Sequence, residues 1–124
     1  MQKPFILFDY AGTLVRMRPA SLLVNKSILI NLSMNYRFGI ITGAKKVETL
    51  NIIRKLKIND LFSLVITADD TDLRKPNAKL FPKTEVAFYI GDSKKDEVFA
   101  KNGNIAFFRV NKKYNINSIL EKLI

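Results

Sequence analysis

Short, continuous apolar runs recur along the chain, and each stops at a small polar or acidic residue. Phe5-Ile6-Leu7-Phe8 stops at Asp9, Phe38-Gly39-Ile40-Ile41 at Thr42-Gly43, Leu61 to Ile66 at Thr67 ahead of Asp69 and Asp70, and Val86 to Ile90 at Gly91-Asp92. Runs of this length without polar alternation are the pattern of strands buried on both faces. Helix-like segments lie between them: Ala20 to about Asn35, Val47 to Leu56, and Lys94 to Lys101. A last strand from Ile105 to Val110 and a closing helix from Ile116 to Leu123 complete the series. Strands alternating with helices predict an α/β fold, a three-layer Rossmann-like parallel sheet with helices on both faces. Such sheets bind ligands beyond the carboxyl ends of their strands, where these short polar residues collect.

The 124 residues predict a single domain, 1–124, able to bury a core without disulfides or metal. Cysteine and histidine are both absent. Thiolate zinc sites, cysteine nucleophiles, Ser-His-Asp triads and histidine general bases are therefore excluded. Carboxylates, lysines, hydroxyls, backbone amides and a hard cation remain. The apolar stretches near Ser21–Val24 and Ile28–Leu32 are broken by Asn25, Lys26 and Asn31, far short of the roughly 20 residues that span a bilayer. Residues 1–5 lead straight into a strand with no signal-peptide pattern, so a cytoplasmic protein without a membrane partner is expected. Lys and Arg total 21 against 11 acidic residues, a net charge of +10. They are spread along the chain, in pairs at most, such as Lys45-Lys46, Lys94-Lys95 and Lys112-Lys113. A solvated surface that attracts phosphorylated ligands accounts for this pattern; no motif supports nucleic acid as a partner.

Four polar segments carry the chemistry. Asp9 at a strand tip suits a nucleophile or metal ligand, and Gly12 lets the chain turn and bring amides toward an anion; the alternative is a simple turn cap. Thr42-Gly43 offers a hydroxyl and free amides ahead of a helix, either an anion site or an ordinary N-cap. Lys75-Pro76 places an ammonium in a polar loop. In Gly91-Asp92-Ser93-Lys94-Lys95-Asp96, the two carboxylates lie one helical turn apart and face one point. Two acids converging with Asp9 repel it and one another unless a cation sits among them, and an oxygen-only ligand set suits Mg²⁺.

In this order, the four segments resemble the motifs of the haloacid dehalogenase superfamily of aspartate-nucleophile phosphohydrolases. The resemblance runs from about Phe5 to Arg109. It implies that Asp9 attacks phosphorus and forms an aspartyl-phosphate, and that Thr42, Gly43 and Lys75 hold the phosphoryl group. It also implies that Mg²⁺ is bound by Asp9, Asp92 and the carbonyl of Ala11. Gly12, Thr13, Gly91, Ser93 and Asp96 would then support the site. The chain departs from the family pattern at Ala11, where phosphatases carry a second Asp as general acid and base. That function is worth about 10²–10⁴-fold. Either the protein turns over activated phosphates, or slowly, or it is an impaired module that binds a phosphorylated ligand or partner.

The sequence Asp9-Tyr10-Ala11-Gly12-Thr13 also looks like the phosphonatase branch, but residues 15–41 hold a flap and one helix rather than that branch's helical cap. No cap domain is expected between residues 43 and 74 either, which leaves an open rim suited to large substrates or to capping by a partner. Residues 77–81 make barely one helical turn, and the trimming predicts exposed sheet surface that favours a homo-oligomer. A phospho-accepting receiver domain is a further alternative, separable by strand order.

Overall fold

The computed structural model describes residues 2–124. Its five-stranded sheet contains β1 (Phe5–Phe8), β4 (Arg37–Ile41), β5 (Phe62–Ile66), β6 (Val86–Gly91) and β7 (Ala106–Arg109). All neighbours are parallel, in the order β5-β4-β1-β6-β7. Counting only these strands, the order is 3-2-1-4-5, with the chain reversing its direction of travel across the sheet between β1 and β6. Receiver-like sheets run 2-1-3-4-5, so that alternative is removed. The crevice opens where Asp9 leaves β1 and Asp92 follows β6.

Side chains of β1 alternate between two cores, as a strand's period of two requires. Ile6 and Phe8 face the larger core with Leu29, Leu32, Ile53 and Leu120, from the helices α1 (Lys26–Leu32), α2 (Lys46–Lys55) and α4 (Ile116–Glu121). Phe5 and Leu7 face the other, with Tyr89 and with Phe99 of α3 (Lys94–Asn102). Both faces are covered, as the unbroken apolar runs predict. No helix among the described residues is long and apolar enough to cross a membrane.

The helix expected from Ala20 begins later. Val15–Arg16 (β2) and Ser21–Leu22 (β3) instead form an antiparallel hairpin beside the Asp9 loop, and only Lys26–Leu32 is helical. The consecutive apolar residues Leu22, Leu23 and Val24 lack helical spacing, and the Leu23 amide donates to the Leu14 carbonyl at 2.8 Å. Asn25 closes this extended stretch, its amide held by the Asn117 side chain at 2.7 Å.

The trimmed connection between β5 and β6 contains one 3-10 turn, Ala78–Leu80. Leu80 is buried there, and the Phe81 ring stacks on Phe99 with centroids 3.9 Å apart. Tyr89 meets both rings edge-on, at 5.8 and 5.1 Å. One aromatic thus covers this face in place of a full helix, and the surface expected to be open is partly closed. Phe99→Ala is expected to cost about 3–5 kcal/mol through the cavity it leaves, and Phe99→Leu clearly less. Urea unfolding of the two variants checks this ordering.

Candidate functional site

Asp9 is fixed from two sides. Its amide donates to the Ile90 carbonyl at 2.8 Å, tying the end of β1 to β6. Its Oδ1 accepts from Lys75 Nζ at 2.7 Å. The same ammonium donates to Asp96 Oδ1 at 3.1 Å, and the Lys75 side chain is 11% exposed. Asp9, Asp92 and Asp96 bring one carboxylate oxygen each within 4.8 Å of one another. Three of the four sequence segments therefore converge on one point.

Local sequence explains the placement of Asp96. Ser93 caps α3: its hydroxyl accepts from the Asp96 amide at 3.2 Å and donates to Asp96 Oδ2 at 2.8 Å, while the Ser93 amide also reaches Oδ2. This reciprocal cap turns the carboxylate back toward the sheet. A Cβ at Gly91 would strike that carboxyl group, so glycine is what lets it approach. Gly12 has φ +84°, and a side chain there would run into Asp92.

Tyr89 was not visible as a site residue in the sequence. Its hydroxyl donates to Asp96 Oδ1 at 2.7 Å, and Lys75 Nζ lies 5.5 Å from its ring centroid. The available signal was a tyrosine inside an apolar strand, because a buried hydroxyl usually has a partner. Burial alone would raise the Asp96 carboxyl, but the Lys75 charge and the Tyr89 and Ser93 hydrogen bonds outweigh it and hold it below the usual range. Asp9 has fewer donors. Its burial prevails over Lys75 and pushes it up to about 6.

Thr42 and Gly43 line a cleft of about 210 Å³ with Asp9, Lys75 and Lys95. Thr42 does not cap α2, whose N-cap is Lys45; its Oγ1 accepts from the Ala44 amide at 3.1 Å. Ala11 does not line this cleft but is exposed along an adjoining groove that it shares with Gly12, Thr13 and Asp92. Thr13 is fully buried and its hydroxyl has no hydrogen-bond partner. Asp69 and Asp70 are not part of the acidic cluster. Asp69 accepts from the Lys46 amide at 2.8 Å, and Asp70 accepts from Thr67 and pairs with Lys46 at 3.0 Å.

The donor chemistry fits a hard divalent cation. Asp92 makes no ion pair among the described residues, and one oxygen of Asp9 stays outside its hydrogen bond to Lys75. Asp96 is fully occupied by Lys75, Tyr89 and Ser93, which suits it to orient the others rather than to bind metal directly.

Folding linkage provides a check on these carboxylates. The raised pKa of Asp9 contributes stability that is present below 3.8 and lost as the pH rises through about 6. The metal-free protein's resistance to urea, relative to Asp9→Asn, is therefore expected to fall between about pH 4 and pH 7. Parallel curves for the two proteins would refute that assignment.

A family model described as haloacid dehalogenase-like hydrolase matches residues 24–110, a span that contains Thr42, Lys75 and Gly91–Asp96. The glyceraldehyde 3-phosphate phosphatase of Pyrococcus abyssi is 38% identical over 66 residues, 52% of this chain and 28% of that relative's length. Phosphatase Tt82 from Thermococcus thioreducens superposes with a TM-score of 0.72 at 23% identity, over 84% of this chain and 45% of its own. A hydrolase from Streptococcus pneumoniae TIGR4 superposes with a TM-score of 0.81 at 14% identity, over 99% of each chain. The chain thus spans less than half the length of the two named phosphatases, but it matches the hydrolase over nearly all of both. With the family model covering well over half of its residues, the chain belongs to the haloacid dehalogenase-like hydrolases.

Proposed function

We propose that residues 1–124 work as one unit that transfers phosphoryl groups from phosphorylated compounds, with Asp9 as nucleophile and Mg²⁺ as cofactor. The observation that carries this reading is the Lys75 ammonium between Asp9 and Asp96, at the edge of a cleft that Thr42 also lines. Family membership, and a relative named for a small phosphorylated aldehyde, support a phosphorylated small molecule as substrate.

Asp9, Asp92 and the Ala11 carbonyl would hold Mg²⁺, which supplies charge neutralisation and Lewis acidity when bound. Thr42, Gly43 and Lys75 would hold the phosphoryl oxygens. A carboxylate oxygen of Asp9 attacks phosphorus, the bond to the leaving oxygen breaks, and that oxygen departs with the electron pair. Water then attacks the aspartyl-phosphate, the bond to Asp9 breaks, and the water's proton leaves with phosphate or solvent. Positioning and electrostatics carry most of such a reaction. Lys75 serves both needs: its salt bridge fixes the Asp9 carboxylate, and its charge favours the phosphoryl dianion.

Ala11 sets the limit, because a methyl group can neither protonate a leaving group nor activate water. Turnover is therefore expected to favour leaving groups that depart as stable anions. Mg²⁺-dependent phosphate release from an aryl phosphate is expected, and Asp9→Asn should abolish it; metal-independent turnover that survives this change would overturn the reading. Because Ala11 is exposed, an Asp fits there, and Ala11→Asp is expected to raise turnover of unactivated esters by about 10²–10⁴-fold. Ala11 also favours a second reading, a module that binds a phosphorylated ligand without turnover. Wild-type protein inert toward aryl phosphates yet active as Ala11→Asp would establish that one.

A further inference from the structure

The groove beside Ala11 is about 810 Å³, several times the size of the 210 Å³ cleft that holds Thr42 and Lys75. The small cleft suits a phosphoryl group. Whatever that group is attached to needs a second space, and the groove begins at the site itself, since Ala11 and Asp92 line it.

Its walls have a definite chemistry. Met17, Leu23 and Ile116 supply an apolar surface, and Met17 is 41% exposed. Arg16, from the hairpin, and Lys112, from the loop after β7, supply positive charge. Neither forms an ion pair among the described residues, and Asp92 is the groove's only acidic lining residue. If Asp92 is engaged by a cation, the groove's remaining charge is entirely positive. Apolar walls with a few placed charges are the usual make-up of a small-molecule site.

We propose that this groove receives the leaving group of the substrate, and that the leaving group is an apolar body ending in a carboxylate, met by Arg16 and Lys112. This inference rests on the phosphoryl-transfer reading above. Selectivity here comes from a groove that none of the phosphoryl-holding residues lines, on side chains that none of the family motifs contains. An unpaired arginine and lysine facing an apolar wall discriminate by charge, because a carboxylate gains charge-assisted hydrogen bonds that a neutral group of the same shape does not.

The test compares phenyl phosphate, 4-carboxyphenyl phosphate and 4-(aminomethyl)phenyl phosphate with the Mg²⁺-loaded protein. Reactivity differences between the esters cancel when each is referred to the same ester in a variant. The double variant Arg16→Gln/Lys112→Gln is expected to reduce the kcat/KM preference for the carboxylated over the aminomethyl ester about tenfold, mainly through KM. Lys55→Gln/Lys101→Gln, in the last turns of α2 and α3, removes the same charge at a distance and should leave the preference intact. A preference unchanged by the first variant, or lost equally in the second, would overturn the proposal in favour of the chain's general positive field. A second readout needs no turnover: 4-hydroxybenzoate should shift the backbone amide resonances of Arg16, Met17 and Lys112, and the absence of such shifts refutes the groove. If no ester is hydrolysed, the phosphoryl-transfer reading fails, and the resonance shifts still decide whether the groove binds a carboxylate.

Discussion

One ammonium group holds the two halves of the site together. Lys75 reaches from the connection between β5 and β6 to Asp9, just past β1, and to Asp96 on α3, elements that the chain order keeps far apart. Without it, the buried Asp96 and the half-buried Asp9 carboxylates would face each other across a few ångströms in a poorly screening environment, where like charges interact strongly. Its own burial is tolerable because both partners lie within hydrogen-bond range and Tyr89 places a ring face near it. With one ammonium against the carboxylates of Asp9, Asp96 and Asp92 the cluster carries excess negative charge, and removing Lys75 would leave that charge without its only cation among the described residues.

The unequal treatment of the two acids follows from their donors. Asp96 receives Lys75, Tyr89, and the Ser93 hydroxyl and amide, so its ionised form is favoured despite burial. Asp9 has one side-chain donor and keeps lone pairs free, so its charge is held less firmly. Two groups of the same chemistry are thus held differently by their environments, and the less saturated of them is the one proposed above as nucleophile.

Much of this architecture was legible in the sequence because buried parallel strands cannot be disguised. A run such as Phe5–Phe8 followed by Asp9 fixes the strand, its burial and the position of its carboxylate together. Strand order was not legible, since it depends on which crossovers pack rather than on any one segment. The hairpin was mistaken for helix because Leu22, Leu23, Ile28 and Leu29 satisfy a loose helical pattern, whereas the break lies in how Leu23 bonds back to Leu14. The role of Tyr89 was hidden for another reason. Its hydroxyl matters only once α3 places Asp96 above the strand, a long-range fact with no local mark.

The short connection between β5 and β6 carries both Lys75 and Phe81, the cation of the site and the ring that closes the second core. Only five residues lie between them, so a shift at one is transmitted along a short stretch of chain to the other. Opening the aromatic cluster therefore withdraws the ammonium, and anchoring the ammonium holds the cluster shut. Amide exchange in this stretch should then report a single cooperative unit rather than a pliable loop, and a ligand that grips Lys75 tightens the packing beneath the sheet as it binds.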